Sequence, residues 1–164
     1  MEDDELVERV GRLEERVARL ESADATAEGP KAEDALWALN ALKGRVEDPG
    51  AVLFTGSVTV PSGEHYEWQQ GHPVDDLLAD DWSRAAETLS ALAHPVRLLL
   101  LREILHGAGT TAELGAHVGT TGQLYHHLRQ LVAAGWLRTT ARGRYSVPGE
   151  RVVPILTVLA ATRR

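Results

Sequence analysis

Apolar positions recur along this chain with three different periods, and each period predicts a different element. From Leu6 to Glu21 they fall at Leu6, Val10, Leu13, Val17 and Leu20, spaced 4, 3, 4 and 3. This is a heptad seam with valine at a and leucine at d, the composition that favours a parallel two-stranded coil. Arg9 would face Glu14 of a second strand, and Arg16 would face Glu21, pairs that attract only in a parallel, in-register dimer. The competing reading is a single amphipathic helix on its own chain, but isolated helices this short are marginal. The matched charges favour dimerisation through Leu6, Val10, Leu13, Val17 and Leu20. A polar stretch with Gly29 and Pro30 then ends the helix and reads as a linker.

A helical stripe returns over Ala32 to Val46, with Leu36, Leu39, Leu42 and Val46 together and Trp37 beside them. The period then changes to two. Ala51 to Val60 and Glu64 to Gln69 alternate around Pro61-Ser62-Gly63, which predicts a β-hairpin. Gly56 inside the first strand marks a bulge or a close backbone approach. Gly71, His72 and Pro73 are expected to break the pattern, and Val74 to Leu78 to form one helical turn. A lone hairpin is not stable by itself. It must pack on the Trp37 helix, on the C-terminal domain or on a dimer mate. Its aromatics, Phe54, Tyr66 and Trp68, are either plain core or the lining of a small-molecule effector pocket in this middle module.

Asp80 or Asp81 caps a helix over Trp82 to Leu92, and Pro95 opens another that is apolar on most sides to His106. A helix of that kind is a buried central one. Thr110 or Thr111 caps a short helix over Ala112 to His117, and Gly119 supplies a turn. Thr120 and Gln123 then form a T-x-x-Q capping box for a longer helix ending at Gly135. On a helical wheel Leu124, Leu128, Leu131 and Val132 share one face. Gly122, His126, Arg129 and Ala133 share the opposite one, with Tyr125 and Gln130 beside it.

Such a helix suits the major groove of DNA, where arginine reads guanine and glutamine reads adenine. The residues expected to contact DNA here are Thr111, Thr120, Thr121, Gln123, Tyr125, His126 and Arg129, the threonines serving phosphate at helix N-termini. For Gln123, capping competes with base contact. Trp136–Thr140 and Arg144–Val147 predict short strands around Ala141-Arg142-Gly143. Arg138, Arg142 and Arg144 at or near its tip make a basic wing for phosphates or the minor groove. A final helix over Arg151 to Ala161, with Pro154 in its first turn, is more apolar than a monomer surface should be. Leu156 and Leu159 are therefore expected at a dimer contact.

Charge supports this division of labour. The net charge is −7, yet residues 81–164 hold ten arginines against five acids, while residues 1–80 hold 19 acids against seven bases. A basic half on an acidic chain is the asymmetry of a localised anion-binding face. The absence of cysteine excludes disulfides and thiolate metal sites. No secretory signal or bilayer-spanning apolar run is present, so a cytoplasmic protein without a membrane partner is expected.

The runs ALAHPVRLLLLREIL and TAELGAHVGTTGQLYHHLRQLVAAGWL, followed by a glycine-centred wing, resemble the winged helix-turn-helix bacterial repressors of the ArsR/SmtB type over residues 82–162. The resemblance implies a homodimer that releases operator DNA when an inducer binds. The family's metal sensors use cysteine pairs or Asp/His/Glu sets in the last helix, and residues 151–164 have no His, Asp or Glu. A non-metal-sensing variant with no cofactor is therefore expected. The inter-helix turn is one residue shorter than the usual pattern. Residues 1–80 lie outside the family's plan.

The expected fold class is mainly α with small β: a winged helix-turn-helix over 81–164, a helix plus β-hairpin module over 29–80, and a coiled-coil helix and linker over 1–28. The expected function is sequence-specific regulation of transcription, as a repressor, with double-stranded DNA and a second copy of the chain as partners. Helix 120–134 would read the major groove, and wing 138–145 phosphates or the minor groove. The alternative is a protein-interaction adaptor using the winged helix as a dimer scaffold, with the coiled coil and hairpin as binding surfaces. No hydrolase, phosphate-loop or zinc-protease motif is found, and no catalytic residue is assigned. Glu113 and His117 at i, i+4, with His126 and His127, have a spacing that could hold zinc, but the preferred account is that His117 packs at a helix end while His126 and His127 serve the DNA face and the domain core.

Overall fold

The computed structural model of the chain describes residues 11, 14, 15, 35–140 and 143–163. The heptad residues Leu6, Val10, Leu13, Val17 and Leu20 lie outside these, as does Arg142. About half of the described residues are helical, and two small antiparallel two-stranded sheets accompany the helices. Two compact units divide between Glu47 and Asp48.

In the first unit, helix α1 runs Trp37–Lys43. It stops short of Val46, because Gly44 takes the C-cap and glycine is a poor helix former. Leu36, Trp37 and Leu39 are exposed.

The second unit begins with a long hairpin, β1 (Ala51–Thr59) and β2 (His65–Pro73). Pairing is continuous from Thr59↔His65 to Ala51↔Pro73, so Gly56 is not a bulge. The strand also runs through Gly71-His72-Pro73, where a break was expected. Pro73 closes the ladder at its last position, where a missing N–H is tolerated. Alternate residues, among them Phe54, Val58, Tyr66, Trp68 and His72, face inward and are half-buried. Val60 at the turn end is fully buried.

Helix α2 (Val74–Ala79) follows, a turn and a half rather than one. Helix α3 (Trp82–Ser90) is capped by the Asp81 carboxylate, which accepts from Ser83 N–H. Helix α4 (Pro95–Leu105) starts on the proline, and His94 Nδ1 accepts from Val96 N–H. Helices α5 (Thr111–Gly115) and α6 (Thr121–Ala133) come next. Strands β3 (Arg138–Thr139) and β4 (Tyr145–Ser146) pair over two residues each. The flanking Trp136, Leu137 and Val147 are buried in the core instead of extending the ladder.

Helix α7 (Gly149–Ala161) begins two residues earlier than Arg151, which puts Pro154 inside the helix and not in its first turn. There it deprives the Glu150 carbonyl of its usual donor.

One core joins these elements: Leu100, Leu101 and Ile104 of α4, Leu114 of α5, Leu124, Leu128 and Leu131 of α6, and Val152 and Ile155 of α7. The hairpin takes one of its three expected seats, packing both strands against α7 of its own chain. A Cβ on Gly56 would meet Val153 Cγ1 at 2.8 Å, so the glycine marks a close approach. Gly149 plays a similar part under Tyr66. Much of the apolar surface of α7 is thus covered within the chain. Leu156 packs partly buried on the core, and Leu159 is exposed. Among the described residues, no helix is long and apolar enough to cross a membrane.

Candidate nucleic-acid interface

The α6 helix is built by its two faces. Leu124, Leu128 and Leu131 are at most 2% exposed, and a leucine of this kind contributes about 2–5 kcal/mol relative to alanine. Gly122, Gln123, Tyr125, His126, Arg129 and Ala133 on the other side are all exposed. A Cβ on Gly122 would meet nothing within 4 Å. The Arg129 side chain has neither hydrogen-bond nor ion-pair partners among the described residues.

The N-terminal ends of the two helices are finished differently. Thr120 Oγ1 accepts from Gln123 N–H at 3.3 Å, but the Gln123 side chain does not return the bond. The expected capping box is therefore half formed, and the Gln123 amide is left uncommitted. The complete box is at α5. Thr110 Oγ1 accepts from Glu113 N–H, while the Glu113 carboxylate accepts from the N–H groups of Thr110 and Gly109 at 2.8 and 2.9 Å. Those backbone bonds hold the Glu113 carboxyl down to about 2, with a smaller contribution from Arg144. The T-x-x-E spacing at 110–113 was a visible signal for this box.

Four of the expected DNA-contacting residues are brought together. Thr111, Thr120, Thr121 and Tyr125 line one hollow of about 540 Å³ between the starts of α5 and α6.

A chain of hydrogen bonds behind α6 was not foreseen. Arg97 of α4 donates to Ser90 O at 2.8 Å and to Gln130 Oε1 of α6. A guanidinium can only donate, so the Gln130 amide must turn its oxygen inward and its NH₂ outward. That NH₂ lies 3.1 Å from His126 Nε2, which must then accept. The His126 proton is thereby placed on Nδ1, as a donor. Arg97 was legible only as a polar residue in an apolar helix.

His127, next in sequence, is half-buried and tilted against His94 with ring centroids 4.6 Å apart. Its buried Nδ1 has no partner among the described residues. Burial first, then the facing His94, His126 and Arg97, push its pKa below the ordinary histidine value.

The three arginines of the short β3–β4 hairpin separate. Arg138 is in the first ladder pair, at the base of the hairpin instead of the tip, because only two residues per strand pair before Leu137 enters the core. Its Nε donates to Ser146 Oγ. Arg144 folds back toward the domain, 3.8 Å from Glu113 and against Gly109, where a Cβ would meet its Nη2 at 2.8 Å. Arg142, at the tip by sequence, lies outside the described residues.

Glu113 and His117 form no metal cluster. His117 instead lies 3.8 Å from Glu103, and the described residues contain no group of three metal-ligating side chains. Leu159 is exposed and Leu156 half-buried. Comparison with protein-family models, with curated proteins and with solved structures gave no match for this chain.

Proposed function

We propose that this chain is a homodimeric, sequence-specific DNA-binding protein of the winged helix-turn-helix kind, regulating transcription as a repressor of the ArsR/SmtB type. The observation that carries the reading is the two-faced α6 helix. Its leucine face is sealed in the core, while Gln123, Tyr125, His126 and unpaired Arg129 stand exposed on the other side. A major groove admits one such helix, and these side chains supply donors and acceptors for base edges. The hollow lined by Thr111, Thr120, Thr121 and Tyr125 suits a phosphate, since the start of α6 lines it and helix N-termini favour anions. The β3–β4 hairpin serves as the wing, with Arg142 as its main backbone contact and no enzymatic role required.

The test is selection of bound duplexes from a random pool, followed by affinity measurement across a salt series. A recovered sequence preference with affinity falling steeply as salt rises supports the reading. Equal binding to all duplexes with no salt dependence refutes it.

A second reading, as a protein-interaction adaptor, draws on exposed Leu36 at the N-cap of α1 and exposed Trp37 and Leu39 within it. Such an apolar set serves a partner protein better than it serves DNA. Flat DNA affinity together with a stoichiometric protein complex lost in Trp37→Ala would favour it.

A further inference from the structure

We propose that the groove between the β1–β2 hairpin and the start of α7 binds a small organic anion carrying a flat aromatic ring. The groove has a volume of about 760 Å³. Small-molecule sites fall on the order of 300–1,000 Å³. One wall is the inner face of the hairpin, where Phe54 and Trp68 present half-buried rings on the same side of the ladder. The contact of Gly56 with Val153 pins this wall against α7, so the two rings are held at a fixed height.

The opposite wall supplies charge. Arg138 of β3 and Arg151 of α7 both line the groove. Neither has a carboxylate within ion-pair distance among the described residues. Arg138 uses only its Nε, on Ser146 Oγ, which leaves both terminal nitrogens available. Arg151 stacks over the Trp136 ring at 5.1 Å, which orients the guanidinium without neutralising it. Among the described residues the groove has one carboxylate, Glu150, which is exposed and pairs with neither arginine.

Trp68 Nε1 donates to Gln70 Oε1 at 3.3 Å, which fixes the indole and leaves the Gln70 NH₂ as a further donor. Two guanidiniums without a carboxylate partner, lining the same groove as two aromatic rings, call for a ligand with an anionic group at one end and a ring at the other. A carboxylate meets the planar fork of an arginine with two parallel hydrogen bonds, while the ring stacks on Trp68 and Phe54. Arg138 also belongs to the proposed wing, so an occupant competes with DNA for one guanidinium. That consequence rests on the nucleic-acid reading; the binding site does not.

The probe is 1-naphthoate, with 1-naphthalenemethanol as its neutral counterpart, titrated calorimetrically into the full-length protein without DNA. Naphthoate is expected to bind about tenfold or more tighter than the alcohol, the worth of one charge-assisted contact. Arg151→Gln should reduce that difference, since Arg138 remains, and Trp68→Leu should weaken both probes. Trp82→Phe, on exposed α3 and outside the groove's lining, should change neither. Melting curves of each variant establish that it is folded; if Arg151→Gln unfolds, Arg138→Gln takes its place. Equal affinity for the two probes, or an undiminished preference for naphthoate in Arg151→Gln, overturns the site. In a second arm, naphthoate should weaken binding to the selected duplex. Naphthoate bound with duplex affinity unchanged overturns the competition through Arg138, whereas a protein that binds naphthoate but no duplex overturns the nucleic-acid reading alone.

Discussion

Gly56 and Val153 meet so closely that a methyl group on position 56 would lie 2.8 Å from Val153 Cγ1. This contact joins the hairpin to the last helix, and through it residues 51–73 become part of the helical core. Valine is stiff at χ1, so it has little freedom to turn aside. Gly56→Ala is expected to destabilise the protein by about 1–3 kcal/mol, the usual cost of overpacking. Val153→Ala in the same chain should restore part of that loss. A double-mutant cycle of denaturant midpoints checks it, and simple additivity would mean the two residues are not in contact.

Glu113 carries a pH signature. Its folded-state pKa is lowered to about 2, mainly by the N–H groups of Thr110 and Gly109. A depressed carboxyl stabilises the fold above its unfolded value near 4.5 and loses that effect as pH falls toward 2. Glu113→Gln should therefore melt lower than wild type at neutral pH, and the two melting temperatures should converge between pH 4.5 and 2. Thr110→Ala should cost about 1 kcal/mol through loss of the cap. A gap between wild type and Glu113→Gln that stays constant with pH would show that the carboxylate is not bonded as described.

His127 works in a higher window. Its pKa is lowered by burial, then by His94, His126 and Arg97 facing it. A base held neutral in the fold stabilises above the ordinary histidine value of 6.5, and that stability is lost as pH falls below it. His127→Leu should flatten the decline in melting temperature between pH 7 and 5. The imidazole resonances should also titrate below those of a histidine model peptide.

On DNA, different arginines should behave differently. Arg129→Ala and Gln123→Ala are expected to change the preferred sequence, each good base contact being worth about 1–3 kcal/mol of discrimination. Arg142→Ala should weaken all sequences alike and reduce the salt slope by about one unit. Arg97→Met should loosen the preference read by His126 without removing a phosphate contact, since Arg97 acts through Gln130. Competition binding against the selected duplex separates these outcomes.

Deleting residues 1–28 is expected to weaken dimerisation while leaving the helical core folded, because that core is drawn from residue 60 onward. Sedimentation of the truncated chain decides it. An unchanged dimer would remove the heptad seam from the account.

Local chemistry was written in the sequence wherever an element's own residues suffice to determine it. The buried leucines of α6 follow from spacing, because a helix brings i, i+3 and i+4 together whatever surrounds it, and the proline start of α4 follows from the residue type, because Pro suits a first helical position. Contacts between distant segments were not written there. That the hairpin sits on α7, that Arg144 turns back to Glu113, and that Arg97 sets the Gln130 amide all join residues 30 or more apart. No local period encodes such pairs. They are decided when the core closes, because a buried donor must find an acceptor and a two-stranded sheet must find a face to cover.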